Sequence, residues 1–270
     1  MKNRAASIIK YLFLIVASLL SIFPLFWMLI AATNDSQTVL SGSLLPGTKF
    51  MENYRNLLAA QDVWNAMKNS LTYSLSQTVV SLLICSLAGY GFEIYHTRSK
   101  DRLMSVLLTA MMVPLAATMV PLFQMIGSMG LLNSALGFIL PGISTPFLIM
   151  MFRQSARSFP HDIIEAARID GLNELQIFFR MFFPTMRSTY AAAMTITFMN
   201  AWNNYLWPKV IMQTNESITM PMLTANLVAG YVTDYGMLML AVLLSTLPTV
   251  IIFFLLQKSF TEGIAGSVKG

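Results

Sequence analysis

Five stretches of this chain carry no Asp, Glu, Lys or Arg at all: 11–34, 69–92, 103–152, 188–208 and 235–257. They are too long for the core helices of a soluble domain, whereas about 20 apolar residues rising 1.5 Å each cross a hydrocarbon layer about 30 Å thick. Four of the runs fit one crossing apiece. The run 103–152 would extend about 75 Å as a single helix. Because Gly127-Ser128-Met129-Gly130 interrupts it, two crossings joined by a tight turn are expected there. The sequence therefore predicts an all-α polytopic membrane protein, one domain over 1–270. Its six spans fall near 11–32, 69–93, 103–126, 131–152, 187–207 and 236–257, with a cytoplasmic insertion at 153–186. Charged residues make up 11% of the chain, against roughly 25% in ordinary globular domains, which argues against a soluble enzyme.

The net charge of +5 is accounted for by topology. With the N-terminus cytoplasmic, the inner segments collect Lys2, Arg4, Lys10, Arg98, Lys100, Arg102, Arg153, Arg157, Arg168, Arg180, Arg187, Lys258 and Lys269. Only Lys49, Arg55, Lys68 and Lys209 fall outside. An excess of basic residues in short inner loops orients a membrane protein, so both termini are expected in the cytoplasm and no nucleic-acid partner is needed. The first apolar stretch is longer than a signal-peptide core and no small-x-small cleavage site follows it, so a retained helix is expected. One cysteine, Cys85, rules out a disulfide framework, and no Cys/His group has metal-ligand spacing. Pro24, Pro114, Pro121, Pro141, Pro146 and Pro248 stand within the spans. Each removes a backbone donor, which fits either packing kinks or a bundle with a cavity and moving parts.

The insertion at 153–186 is charged and patterned as helix. Pro160 suits a first helical turn with Ser158 as its cap, His161 to Asp170 continues the helix, and Gly171 is placed as its stop. Asn173 with Gln176 forms a capping box for a second helix. A first helix about 16 Å long cannot cross the membrane. Ile163, Ile164 and the pair Ala166-Ala167 offer a surface for close approach, with Glu165, Arg168 and Asp170 as orienting charges. Anionic lipid would repel Asp162, Glu165, Asp170 and Glu174, so a protein partner is favoured over a headgroup layer.

The run Glu165-Ala166-Ala167-Arg168-Ile169-Asp170-Gly171, with Pro184 beyond it, resembles the E-A-A-x-x-D-G signature of permease subunits of binding-protein-dependent ABC importers. The likeness continues through Asn69-Ser70-Leu71, Gly130-Leu131-Leu132-Asn133, Phe152-Arg153-Gln154, Trp202-Asn203-Asn204-Tyr205-Leu206-Trp207-Pro208 and the terminal Gly263–Gly270, and looks like the maltose-type branch for carbohydrate uptake. Leu172 stands where that family usually has Ala, and Ser188 where a second proline often follows Pro184. The resemblance implies a coupling helix seated on a cytoplasmic ATPase. Glu165 would meet a basic group, Ala166 and Ala167 would allow contact, and Gly171 would turn the chain. It implies a second homologous permease, two ATPase subunits that bind ATP and Mg, and an extracytoplasmic binding protein, reached by the outer loop 208–235. No G-x-x-x-x-G-K-[ST] occurs, so this chain is expected to hold no cofactor and to hydrolyse no ATP.

Candidates for the solute path are Asn200, Asn203, Asn204 and Trp202 on the fifth span, with Gln77 and Gln124 deeper in theirs. Amides hydrogen-bond sugar hydroxyls and aromatic faces pack on sugar C–H surfaces. An interfacial aromatic belt at the end of the span is the competing reading of Trp202, Tyr205 and Trp207, and helix bridging that of the glutamines. Another cargo, such as a polyol, amino acid or peptide, remains an alternative. A remoter one is an intramembrane enzyme, opposed by Cys85 having no histidine near it in sequence.

Overall fold

The structure, a computed structural model, describes residues 2–230 and 233–267, with side chains described over 7–230 and 233–257. The extreme C-terminal residues of the Gly263–Gly270 motif, Lys269 among them, lie outside the described residues. All described secondary structure is helical. A long helix α1 (Lys2–Ala31) is followed by the short α2 (Ser36–Leu40) and α3 (Phe50–Ala60), then by α4 (Val63–Ile94). Helices α5 (Arg98–Ala110), α6 (Leu115–Ser128), α7 (Ala135–Ile139) and α8 (Pro146–Ala156) precede the insertion. The insertion holds α9 (His161–Ile169), α10 (Glu174–Ile177) and α11 (Phe183–Thr185). After it come α12 (Arg187–Trp202), α13 (Leu206–Ile211), α14 (Met220–Val228) and α15 (Tyr235–Ser267).

Three of the expected spans are uninterrupted helices long and apolar enough to cross a membrane: Ser7–Ala31, Val63–Ile94 and Tyr235–Gln257. The other three differ from straight crossings. The span expected at 103–126 is α5 and α6 meeting at 99°. Met112 and Val113 close the end of α5 by donating to the carbonyls of Thr109 and Ala110, and Pro114, with no amide to give, starts α6 in an extended conformation. The span expected at 131–152 is α7 with a tight turn Leu140–Gly142, then α8 at 51°, broken where Pro146 opens α8. The span expected at 187–207 contains α12, which has 16 residues and so reaches only about 24 Å. By length and composition three helices can cross alone, and the count rises to five where each bent pair is one span; α12 by itself is shorter than a full crossing.

The chain divides into two compact units, one built from the chain up to Asn65 with Met222–Pro248, the other from Ala66–Pro221 with the chain from Thr249 onward. In the first, buried amides hold the connection after α1. Asn34 donates to the carbonyls of Ile30 and Leu45 at 3.2 and 3.0 Å, and Asn53 to those of Ala32 and Asn34 at 3.0 and 2.9 Å. Asp234 caps α15 by accepting from the Met237 amide at 3.1 Å, and the Ser36 hydroxyl donates to the same carboxylate. Most of α1 is bare: Ile8, Phe13, Leu19, Leu20 and Phe23 are exposed, which suits lipid or a protein neighbour and not water.

In the second unit α8 packs against α5 and α12. Leu82, Cys85, Met104, Leu148, Ile149, Phe152 and Ala193 form one buried cluster. Gly89 permits the approach of α4 to α8, because a Cβ there would lie 2.6 Å from that of Phe152. The connection between α13 and α14 is pinned by residues of two sequence motifs. Asn69 donates to the carbonyls of Glu216 and Ile218 at 2.7 and 3.0 Å, the Ser70 hydroxyl accepts from the Met220 amide at 2.8 Å, and Asn133 Oδ1 accepts from the Thr214 amide at 3.1 Å.

Candidate coupling segment and solute path

Helix α9 starts at His161 with Pro160 in the capping position, so the expected cap, Ser158, is not one; its hydroxyl donates back to the Ser155 carbonyl at 2.7 Å. Asp162 in the first turn and Arg168 in the last match the helix dipole. The stop is a Schellman turn. Gly171 has φ +82°, its amide donates to Arg168 O at 3.1 Å, and the Leu172 amide reaches Ala167 O at 3.0 Å. No atom lies within 4 Å of where a Cβ on Gly171 would sit, so the glycine is required by backbone conformation and not by space. The capping box is formed: Asn173 Oδ1 accepts from the Gln176 amide and Gln176 Oε1 from the Asn173 amide, each at 2.9 Å. Beyond α10 the helix widens into a π turn over Phe178–Phe182 and reaches Pro184, half-buried in α11.

The faces of α9 divide differently from the expectation. Ile164 and Ala167 point into the chain's own core, with Tyr90, Phe159, Ile177, Phe178 and Phe182. The Tyr90 ring meets those of Phe178 and Phe182 at 5.5 and 5.0 Å. Ala167 is therefore a core residue, unlike its exposed neighbour Ala166. Leu172 packs on the same cluster, the hydrophobic contact that accompanies a Schellman turn. The outer face carries Ile163, Glu165, Ala166, Asp170 and Ile169, the last 86% exposed. Arg168 is used internally: its Nε donates to Glu174 Oε1 at 2.8 Å across the Gly171 turn, and its guanidinium lies 5.9 Å from the Tyr95 ring centroid. That bond holds the Glu174 carboxyl below the usual carboxylate range and raises Arg168, while desolvation raises Tyr95.

In the sequence Arg153 stands only as an inner basic residue and part of the Phe152-Arg153-Gln154 motif, yet it anchors the insertion. It is 3% exposed at the end of α8, donates from Nε to Glu93 on α4 at 3.1 Å, and pairs through Nη2 with Asp101 on α5. Arg157 joins Glu93 at 3.3 Å, and His96 lies 2.9 Å from Asp101. The signal that could have found it is a basic residue at the edge of a 50-residue uncharged run, where a buried cation needs carboxylates.

The solute-path candidates separate. Gln77 and Asn200 line one cavity of about 300 Å³, together with Thr145, Thr197 and Phe147. Gln124 is exposed elsewhere on α6, and Asn203 is exposed at the end of α12. Asn204 Oδ1 accepts from the Trp207 amide at 3.4 Å as a local cap. Trp202, 1% exposed, stacks on Phe198 with centroids 5.7 Å apart and is a core residue. Trp207 is also buried and donates from Nε1 to the Gly137 carbonyl at 3.1 Å. Both tryptophans are thus packed inside the chain, whereas Tyr205 is exposed.

Comparison with known proteins gives this architecture a family. Residues 86–266 match the model of the binding-protein-dependent transport system inner membrane component. The chain is 42% identical to the lactose transport system permease protein LacG of Rhizobium radiobacter, over 100% of this chain and 98% of that one. It is 35% identical to the arabinooligosaccharides transport system permease protein AraQ of Bacillus subtilis (strain 168), over 96% and 94%. It is 28% identical to the sn-glycerol-3-phosphate transport system permease protein UgpE of Escherichia coli (strain K12), over 97% of both. The crystal structure of a bacterial ABC transporter involved in the import of the acidic polysaccharide alginate contains a chain of the same fold, with a TM-score of 0.80 and 22% identity over 96% of this chain and 98% of that one. With the family model matched over most of its length and relatives similar from end to end, this chain belongs to the inner-membrane permease components of binding-protein-dependent transport systems.

Proposed function

We propose that this chain is one of two homologous permease subunits of an ATP-driven importer for an uncharged carbohydrate, with both termini in the cytoplasm of a bacterial cell. The observation that carries the reading is the two-sided α9. Its inner face is built into the core through Ile164 and Ala167, and its outer face leaves Glu165, Ala166, Ile169 and Asp170 open to a partner. A helix so mounted transmits displacement, because a close-packed core does not absorb it. In this reading α9 sits on a cytoplasmic ATPase subunit, and two such subunits hold ATP and Mg. This chain, without a phosphate-binding loop in its sequence, hydrolyses nothing itself. Closure of the ATPases moves α9, and the spans rock between inward-open and outward-open. Coupling then requires that ATP and the loaded binding protein each favour one global state over the other. The sugar class is supported by the names of the lactose and arabinooligosaccharide relatives and by the uncharged spans.

The test is uptake of radiolabelled lactose and arabinotriose by cells carrying the whole importer. Glu165→Lys and Gly171→Asp should abolish uptake and release the ATPase subunit from affinity-purified complex, with the permease still in the membrane fraction. Unchanged uptake in both variants would refute the coupling role.

A further inference from the structure

The break between α7 and α8 opens the cavity of about 300 Å³, which takes Gln77 from α4, Gly142, Thr145 and Phe147 from the break, and Thr197 and Asn200 from α12. Its polar groups share one property. The Thr197 hydroxyl, in a residue 5% exposed, is buried with no hydrogen-bond partner. The amides of Gln77 and Asn200 and the hydroxyl of Thr145 also bond to no other described residue. A buried hydroxyl without a partner, such as that of Thr197, is costly, and in a bilayer no lipid can relieve it. Thr197 is buried, Gln77 and Thr145 are half-buried and Asn200 is exposed, so one orphaned hydroxyl and three uncommitted polar groups face the same space, which suits a molecule that arrives with hydroxyls of its own.

The backbone is shaped to the same end. A Cβ on Gly142 would lie 2.0 Å from Gln77 Nε2, so only a glycine lets the Gln77 amide rest across the broken helix. Phe147, 48% exposed, supplies an aromatic face. No charged residue lines the cavity, so a phosphate or carboxylate entering it would be an unpaired charge in a poorly solvated space. Ligand pockets run from about 300 to 1,000 Å³, so this volume admits one sugar-sized ring and not a whole oligosaccharide.

We propose that this cavity is a solute subsite of the translocation path, contributed by this subunit, that takes one uncharged polyhydroxylated ring through hydrogen bonds to Gln77, Thr145, Thr197 and Asn200. The proposal rests on the importer reading above. It is tested in proteoliposomes holding the complete importer with its binding protein, using lactose and arabinotriose as probes. The Gln77→Ala, Asn200→Ala double variant should lower uptake about tenfold, a bridging water replacing part of the two lost hydrogen bonds. ATP hydrolysis stimulated by sugar-loaded binding protein should stay within about twofold of wild type. Gly142→Ala, which displaces the Gln77 amide without removing it, should give a smaller loss of the same kind. In Asn200→Cys, the sugar should slow thiol labelling at position 200. Uptake of a sugar at the wild-type rate by the double variant would overturn the subsite. So would labelling indifferent to the sugar, or a matched collapse of hydrolysis and uptake, which marks a surface packed on the sister permease. A wild-type complex that carries neither sugar would instead overturn the carbohydrate reading, and the subsite with it.

Discussion

Gly171 shows how one backbone angle sets a boundary. At φ +82° an L-residue with a Cβ pays about 1–2 kcal/mol for the left-handed conformation, and Asn pays least among them. Gly171→Asn should therefore keep more uptake than Gly171→Val, measured side by side at equal membrane abundance. The link across that turn has a defined pH range. Because Arg168 lowers the Glu174 carboxyl, the contribution is complete above its unperturbed value of 4.5 and is lost as pH falls through the lower, folded value. Hydrogen exchange over 168–176, corrected for intrinsic rates, should be flat from about pH 8 to 5 and rise only below that window; in Glu174→Gln it should already be raised at neutral pH. The turn and the capping box were readable in Gly171, Asn173 and Gln176, because caps are local chemistry. Which side of α9 faces inward was not. Ile163 and Ile164 are equivalent in hydrophobicity, and only the rings of Phe178 and Phe182, brought in by tertiary packing, select Ile164.

At the scale of elements, α8 depends on one buried cation. Arg153→Ala would take from Glu93 and Asp101 the buried cation that joins them, leaving Glu93 only the more exposed Arg157 and Asp101 only His96. Breaking such a pair costs about 3–5 kcal/mol when fully buried, and the partial exposure of Asp101 puts the expectation at about 3. The purified complex should show it as a lowered unfolding temperature, with Arg153→Lys intermediate because one ammonium cannot serve both carboxylates as a fork does. The crossing of α4 over α8 is equally specific. Gly89→Val places carbon where Phe152 and the Arg153 amide already stand and should cost about 1–3 kcal/mol or more, read by the same melting experiment. Run length alone located the three uninterrupted apolar helices, since the absence of charge is visible residue by residue, but not α14, which lies in the segment read as a loop. The 99° bend at Pro114 and the 51° bend at Pro146 were not visible. A proline states that a hydrogen bond is missing, but the neighbours decide how far the chain turns there.

For the whole molecule, the basic residues argue for an orientation that the fold does not itself fix. A periplasmically active enzyme fused after residue 270 should be inactive, and a cytoplasmically fluorescent one bright; fusions within 43–48, on the outer connection, should show the opposite pattern. The family was legible because its signature is a contiguous string, Glu165 to Gly171, that keeps its spacing in any context. The cavity was only half legible. Gln77 and Asn200 stood out as amides in apolar runs, whereas Trp202 stood out equally and proved to be core. Polarity inside a membrane span identifies a group needing a partner, while an aromatic ring is content in either place.

The sharing of Ile164 and Ala167 between α9 and the rings beneath it has a genetic consequence. Alleles that abolish growth on the cargo should fall in two sets, one on the outer skin of α9 and one among Phe159, Phe178 and Phe182. The two would be indistinguishable by phenotype, because a knob on a softened mount is as useless as a missing knob. Compensating changes in the ATPase gene should rescue the skin alleles alone.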